Sequence, residues 1–289
     1  FGRFGPKNIS DLPEAKLNSE IMPHGVKCVK LSSQDGLQDI RYYFRHCWSK
    51  RGLRLHDSFI SVVVPVYREQ GAIHDVLTHI RHIFSGAGFE IIIVDGSPGR
   101  ETLAAVHEPG IQTVPSDPGR SRQMNLGASV ACGDILLFAH ADTRLPDHTP
   151  DLILQALEEE KIVGGAFSLG IDSRDPFLHL IACVANLRTR WTRVPYGDQA
   201  IFMRRKYFQK IGMFPDIPLM EDLELMHRVK RQGWRIVILP QRVLTSPRRW
   251  LQEGRLLGTL RNWVLRILYH CGVSAEKLAG YYKIANKKK

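Results

Sequence analysis

Ile60-Ser61-Val62-Val63-Val64-Pro65-Val66 is the stretch on which the fold turns. It is a short, continuous, β-branched apolar run, the pattern of a strand covered on both faces. Just downstream, Ile73, Val76, Leu77, Ile80 and Ile83 form one stripe of a helix over 72–84. Ile91 to Val94 reads as a second strand, closed by the turn Asp95-Gly96-Ser97-Pro98. A third strand, Ile111 to Val114, precedes a helix from about Gly119 to Ala131, and Leu136-Leu137-Phe138 is the fourth. Strands and helices alternating at this spacing predict an α/β fold, with a mostly parallel sheet flanked by helices.

Beyond Pro146 the pattern is less regular. It predicts a helix near Leu152 to Leu157, a strand from Gly165 to Ile171 and a helix from Phe177 to Leu187. A short strand at Ile201 to Met203, a helix from Asp222 to Gln232, a strand from Ile236 to Leu239 and two basic helices complete the chain. Residues 1–58 are polar and broken by Gly and Pro, with one short helix near Asp39 to Trp48, and read as an N-terminal arm. The expected division is therefore 1–58 as extension, 59–250 as the α/β domain and 251–289 as C-terminal helices. Those helices are expected to pack on the domain, on a partner or on a membrane surface.

The net charge of +11 fits an anionic partner, whether nucleic acid, anionic lipid or a phosphorylated small molecule, or simply a solvated basic surface. No RNP-like aromatic motif, zinc finger or long basic block is present, so nucleic acid is not expected. Five scattered cysteines without a C-x-x-C pair argue against a zinc cage or disulfide framework and fit a reducing, cytoplasmic setting. No apolar run approaches the ~18 residues needed to span a bilayer, and Phe1 to Pro6 carry no leader-like apolar segment. Leu257, Leu260, Trp263, Val264, Ile267 and Leu268 share one side of the segment 256–270. Core packing or dimerisation is the first expectation for them, and peripheral contact with the inner face of an anionic membrane the second.

Open parallel sheets bind ligands beyond the carboxyl ends of their strands. Glu69 follows the first strand, Asp95 the second, and His140 and Asp142 the fourth. Residues i and i+2 of a strand share a face, so His140 and Asp142 are expected to aim at one point. Taken alone, the pair fits a metal site or simply a polar strand exit. The loop Pro65-Val66-Tyr67-Arg68-Glu69-Gln70-Gly71 lacks both G-x-G-x-x-G and a phosphate-loop pattern, which disfavours a dinucleotide oxidoreductase.

Five segments in order carry a specific resemblance. They are Val63 to Glu69 with Ile93 to Ser97, Gly119-Arg120-Ser121-Arg122-Gln123-Met124-Asn125-Leu126-Gly127-Ala128, Phe138 to Thr143, Tyr196 to Phe202, and Phe214 to Asp222. Together they resemble family 2 glycosyltransferases of the GT-A fold. Within that family they are similar to a soluble bacterial subgroup found beside radical-SAM and selenium-domain genes. The resemblance runs from about Phe59 to Tyr282 and leaves the N-terminal arm outside.

It implies a nucleoside-diphosphate sugar as donor, an unidentified acceptor, and a divalent metal, Mn2+ or Mg2+. Pro65, Tyr67, Glu69, Asp95, Arg120, Asn125, Ala141, Arg248 and Arg249 would meet the donor, with Asp95 at its base or ribose. Asp142 stands where the family's D-x-D motif has its last carboxylate, the metal ligand. His140 replaces the first Asp; imidazole suits Mn2+ better than Mg2+, and a hydrogen bond to the nucleotide fits the residue equally. Asp222 of the Glu-Asp motif would be the general base, with Glu221 orienting it or the acceptor. Gly197, Asp198 and Gln199 would line the acceptor side. The reaction implied is inverting transfer. A non-catalytic nucleotide-sugar or membrane-surface binding protein, and a nucleotidyltransferase of related fold, are the competing readings.

Overall fold

The computed structural model describes residues 18–21, 27–30 and 58–287, with side chains as far as Tyr282 in the last helix. The chain divides into two compact units, Phe1–Gly52 and Leu53–Lys289. In the first, β1 (Asn18–Ile21) and β2 (Lys27–Lys30) pair antiparallel. The helix expected near Asp39 to Trp48 lies outside the described residues.

The second unit opens with β3 (Ile60–Val66), α1 (Ile73–Ile83), β4 (Phe89–Asp95), the single-turn α2 (Glu101–Ala104), β5 (Ile111–Pro115), α3 (Arg120–Val130) and β6 (Ile135–Phe138). There follow β7 (Thr143–Arg144), α4 (Thr149–Ala156), β8 (Ile162–Ile171), α5 (Pro176–Thr192), a 3-10 turn at Gly197–Gln199, β9 (Phe202–Arg204) and α6 (Arg205–Lys210). The chain continues through α7 (Glu221–Arg231), β10 (Arg235–Thr245), α8 (Arg248–Glu253), α9 (Arg255–His270) and α10 (Ala275–Lys287).

The strands form one sheet in the order β5-β4-β3-β6-β9-β8-β10-β7. The first four run parallel, as the alternation of the sequence requires. β9 runs antiparallel to both β6 and β8, and β7 pairs antiparallel with β10. All seven residues of β3 are buried, because α1 delivers Ile73, Leu77 and Ile80 to the core while α3 packs on β3 and β4. Gly127 makes the α3 contact: a Cβ there would sit 2.4 Å from Val63 Cγ1.

β10 runs well past the expected Leu239, through Pro240 to Thr245, with a shift of register against β8 between Leu239 and Arg242. Proline removes a ladder donor, and the irregularity there lets the strand continue. The extension carries Thr245-Ser246-Pro247-Arg248-Arg249 to the same edge as the ends of β3 and β6. Gly164 and Gly165 serve packing. Cβ atoms on them would lie 2.4 Å from the carbonyl oxygens of Phe202 and Val237. Gly165→Ala is expected to cost about 2–3 kcal/mol in urea unfolding, since a backbone neighbour cannot step aside.

Candidate active site

A cavity of about 300 Å³ opens at the carboxyl ends of β3 and β6. Pro65, Tyr67 and Glu69 line it from the β3 loop, Arg120 from α3, His140, Ala141 and Asp142 from the turn after β6, and Asp198 and Arg249 from later in the chain. Residues from positions 65 to 249 thus converge on one edge. A second cavity of similar size, about 360 Å³, between β10 and the end of α7, contains none of the expected site residues.

His140 and Asp142 both line the cavity, but a turn places them there rather than consecutive positions of a strand. β6 ends at Phe138, and the pair sits in a turn closed by Thr143 N–H donating to His140 O (3.1 Å). Ser246 N–H donates to Asp142 O (3.0 Å), tying this turn to the end of β10. Burial, reinforced by the guanidinium groups of Arg120 and Arg249, pushes the His140 pKa down to about 3, so its ring is neutral. Its Nε2 is buried and has no hydrogen-bond partner of ordinary geometry, although the Gly197 backbone beside it exerts a weak opposing pull on the pKa. Burial raises the pKa of Glu69, Arg248 opposes that rise, and the nearby Asp142 carboxylate adds to it. Carboxylate oxygens such as those of Asp142 suit a divalent cation of the Mn2+ or Mg2+ type. Among the described residues no three His, Cys, Asp or Glu side chains close on a cation by themselves. Phosphate oxygens of a ligand would have to complete the shell.

The Glu-Asp pair opens α7 behind Met220, whose φ is 69°. Asp222 Oδ2 accepts from Gly197 N–H (2.8 Å), and Oδ1 accepts from Leu223 N–H (2.7 Å). Glu221 is almost completely buried and forms an ion pair with Arg120 (3.0 Å). Arg120 keeps 45% of its side-chain surface, and it lines the cavity. Burial acts to lower its pKa, but Glu221, Asp222 and Asp198 outweigh burial and hold it above the ordinary arginine value. Burial raises the Glu221 pKa, with Arg120 opposing. Between the ordinary value of 4.5 and that raised value, the native state holds a proton that the unfolded chain has lost, so stability falls as pH rises. Glu221→Gln is expected to remove that part of the slope in denaturation curves taken across the window.

Gly197 is the joint of the site. A Cβ there would stand 2.9 Å from His140 Nε2, 3.3 Å from Arg120 Nη1 and 3.8 Å from Asp222 Oδ2. Gly197→Ala is expected to lower kcat/KM about tenfold or more while costing only about 1–2 kcal/mol of stability, because it displaces site groups rather than core.

Tyr196, Arg188 and Arg266 were not foreseen from the sequence. The guanidinium carbons of Arg188 and Arg266 lie 3.5 and 3.8 Å from the centroid of the Tyr196 ring. Burial, then the neighbouring Arg266, lowers the Arg188 pKa to about 9, while Asp198 and Asp222 pull it back up. Asp198 is raised by burial, with Arg249 and Arg266 opposing, and its Oδ1 has no partner. No local motif marks these arginines, since α5 and α9 bring them together from distant positions.

Several other expected residues are tied to the backbone or lie off the cavity lining. The Asn125 side chain exchanges two hydrogen bonds with the Phe214 backbone (2.8 and 3.0 Å). Gln199 ties its turn to Tyr196, Thr189 and Phe167. Asp95 is fully buried; Oδ1 accepts from Ser97 N–H and Ser97 Oγ–H, while Oδ2 has no partner. Arg248 lies near Glu69, outside the cavity lining. Trp250 lines the cavity and packs with Ile171, Leu178 and Ala182. Gln123, within the segment 119–128, lines the cavity and donates to Val66 O and Val94 O (2.7 and 2.8 Å), joining the ends of β3 and β4.

The described strands and helices define an α/β domain whose mostly parallel sheet is flanked by helices. Residues 61–212, more than half of the chain, match the family model for glycosyl transferase family 2, and the chain belongs to that family. An uncharacterised glycosyltransferase of Mycobacterium tuberculosis is 30% identical over 103 residues, covering 34% of this chain and 38% of that protein. The probable glycosyltransferase YdaM of Bacillus subtilis is 25% identical over 263 residues, covering 79% of this chain. The chain spans 38% and 59% of the lengths of these two relatives. The solved mannosyltransferase PcManGT of Pyrobaculum calidifontis, in complex with GDP-Man and Mn2+, is 20% identical. It superposes with a TM-score of 0.47, covering 64% of this chain and 56% of that one.

Proposed function

We propose that the chain transfers a sugar from a nucleoside-diphosphate sugar to an acceptor hydroxyl with inversion, and that Asp222 is the general base. The observation that carries this reading is the Asp222 carboxylate itself. It is fixed by two backbone N–H groups and joined through Gly197 to the turn that bears the cavity residue Asp198. A base held in one orientation takes the acceptor proton as the oxygen attacks the anomeric carbon. Arg120 and Arg249 offer fixed positive charge to the diphosphate as it leaves. Asp142 would hold a divalent cation together with phosphate oxygens of the donor, with His140 as a neutral neighbour. When bound, that cation supplies charge to the same diphosphate. The cavity volume is at the low end for small-molecule sites, in keeping with the diphosphate and sugar rather than the whole donor. The unpartnered Oδ2 of Asp95 is suited to an N–H or O–H of the nucleoside.

One observation favours a second choice of base. Asp198 lines the cavity with an unpartnered oxygen and a raised pKa, whereas both oxygens of Asp222 are already engaged. A donor panel of UDP-, GDP- and dTDP-sugars with Mn2+ or Mg2+, followed by nucleoside diphosphate release, tests the enzyme reading. Binding without release from every donor would leave a nucleotide-sugar binding protein, and pyrophosphate release from a nucleoside triphosphate would indicate a nucleotidyltransferase.

A further inference from the structure

Two neighbouring helices turn apolar stripes to solvent. On α5, Leu180, Val184, Leu187 and Trp191 recur at helical spacing, with Trp191 88% and Leu187 70% exposed. On α9, Leu257, Leu260, Trp263 and Ile267 do the same. This overturns core packing as the first expectation for the α9 stripe: Leu265 is the buried apolar residue of the helix, and most of the stripe faces outward. The helices touch each other, and each sends one arginine inward to Tyr196. A helix of a free monomer buries its apolar side and shows its charged side. Here two adjacent helices also turn a second apolar stripe to solvent, and exposed apolar surface of this kind marks a site of interaction.

Charge selects the occupant. Across the 17 residues of α5 and the 16 of α9 there is no Asp or Glu. Arg190 and Arg193, both exposed, flank Trp191. On α9, Arg255 and Arg261 already pair with Asp175 and Glu253 just outside the helices, so the charge left to a partner is that of Arg190 and Arg193, which a second copy would bring toward its own arginines. Anionic lipid headgroups would neutralise the arginines, while the Leu and Trp side chains enter the boundary of the acyl region. No helix among the described residues is long and apolar enough to cross a membrane, so contact through these helices would be at the surface.

We propose that α5 and α9 form a docking face for the surface of an anionic lipid bilayer. The inference does not depend on the catalytic reading, although both helices also reach the acceptor edge through Arg188 and Arg266.

The test is co-sedimentation of the full chain with vesicles of phosphatidylcholine alone or mixed with phosphatidylglycerol. Binding is expected with the mixed vesicles only, weakening as salt is raised. Trp191→Glu and Leu260→Glu, at exposed positions, are each expected to lower vesicle affinity about tenfold while thermal melting and nucleoside diphosphate binding stay unchanged. Absence of sedimentation with mixed vesicles, or equal sedimentation of wild type and both variants, would overturn the proposal. So would a lipid-free dimer, seen by sedimentation velocity, that the same substitutions dissociate, since the face would then belong to a second copy.

Discussion

Asp222→Asn is expected to lower turnover about a thousandfold while donor affinity changes by less than about threefold. The amide keeps an oxygen to accept from Gly197 N–H or Leu223 N–H, so the first turn of α7 and the cavity wall persist. What disappears is the capacity to take a proton, and the loss should appear in kcat rather than in KM. Asp198→Asn supplies the contrast. If Asp222 is the base, Asp198→Asn reduces activity far less, and the pH–rate profile keeps its acidic limb. A thousandfold loss in Asp198→Asn with a mild loss in Asp222→Asn would transfer the role to Asp198, whose pKa is raised and whose Oδ1 is free of partners.

Asp142→Asn should abolish metal activation and reduce turnover by about a hundredfold or more at fixed Mn2+. The Asp142 carboxylate is near enough to Glu69 to raise its pKa, and under the proposed reading its loss would leave the cation with phosphate oxygens and little protein charge to hold it. Calorimetric titration of Mn2+ in the presence of a nucleoside diphosphate measures this independently of activity. His140→Ala is expected to cost less, about tenfold, because that ring stands in the positive field of Arg120 and Arg249 and offers no charge of its own. Equal losses in the two variants would make His140 a full partner in the metal site. An unchanged His140→Ala would reduce the ring to a packing role against Gly197.

Some features were readable because a local rule governs them. The β3, β4 and β6 cores are unbroken apolar runs, and a parallel strand covered on both faces admits little else. Glu69, Asp142, Asp198 and Arg249 fall in segments that follow strands or turns, and chain direction alone carries such segments toward one edge. The extension of β10 was hidden by Pro240, which reads as a stop unless the ladder can shift register around it. The outward stripe of α9 was hidden for another reason. A helical repeat of Leu and Trp states which residues share a side but not which side meets the core.

The sequence by itself determined the α/β alternation, the parallel half of the sheet and the acidic residues that end its strands. Each of these depends on side-chain pattern within a few residues. Only the tertiary structure decided which of those residues are free to act. Asn125 and Gln199 are held by backbone groups far along the chain, and Gly197 is crowded by His140, Arg120 and Asp222 at once. It also decided that Arg188 and Arg266, 78 residues apart, meet at Tyr196, and that α5 and α9 keep their apolar sides in solvent. Contacts between distant segments depend on how the sheet and helices pack, and no local period records that packing.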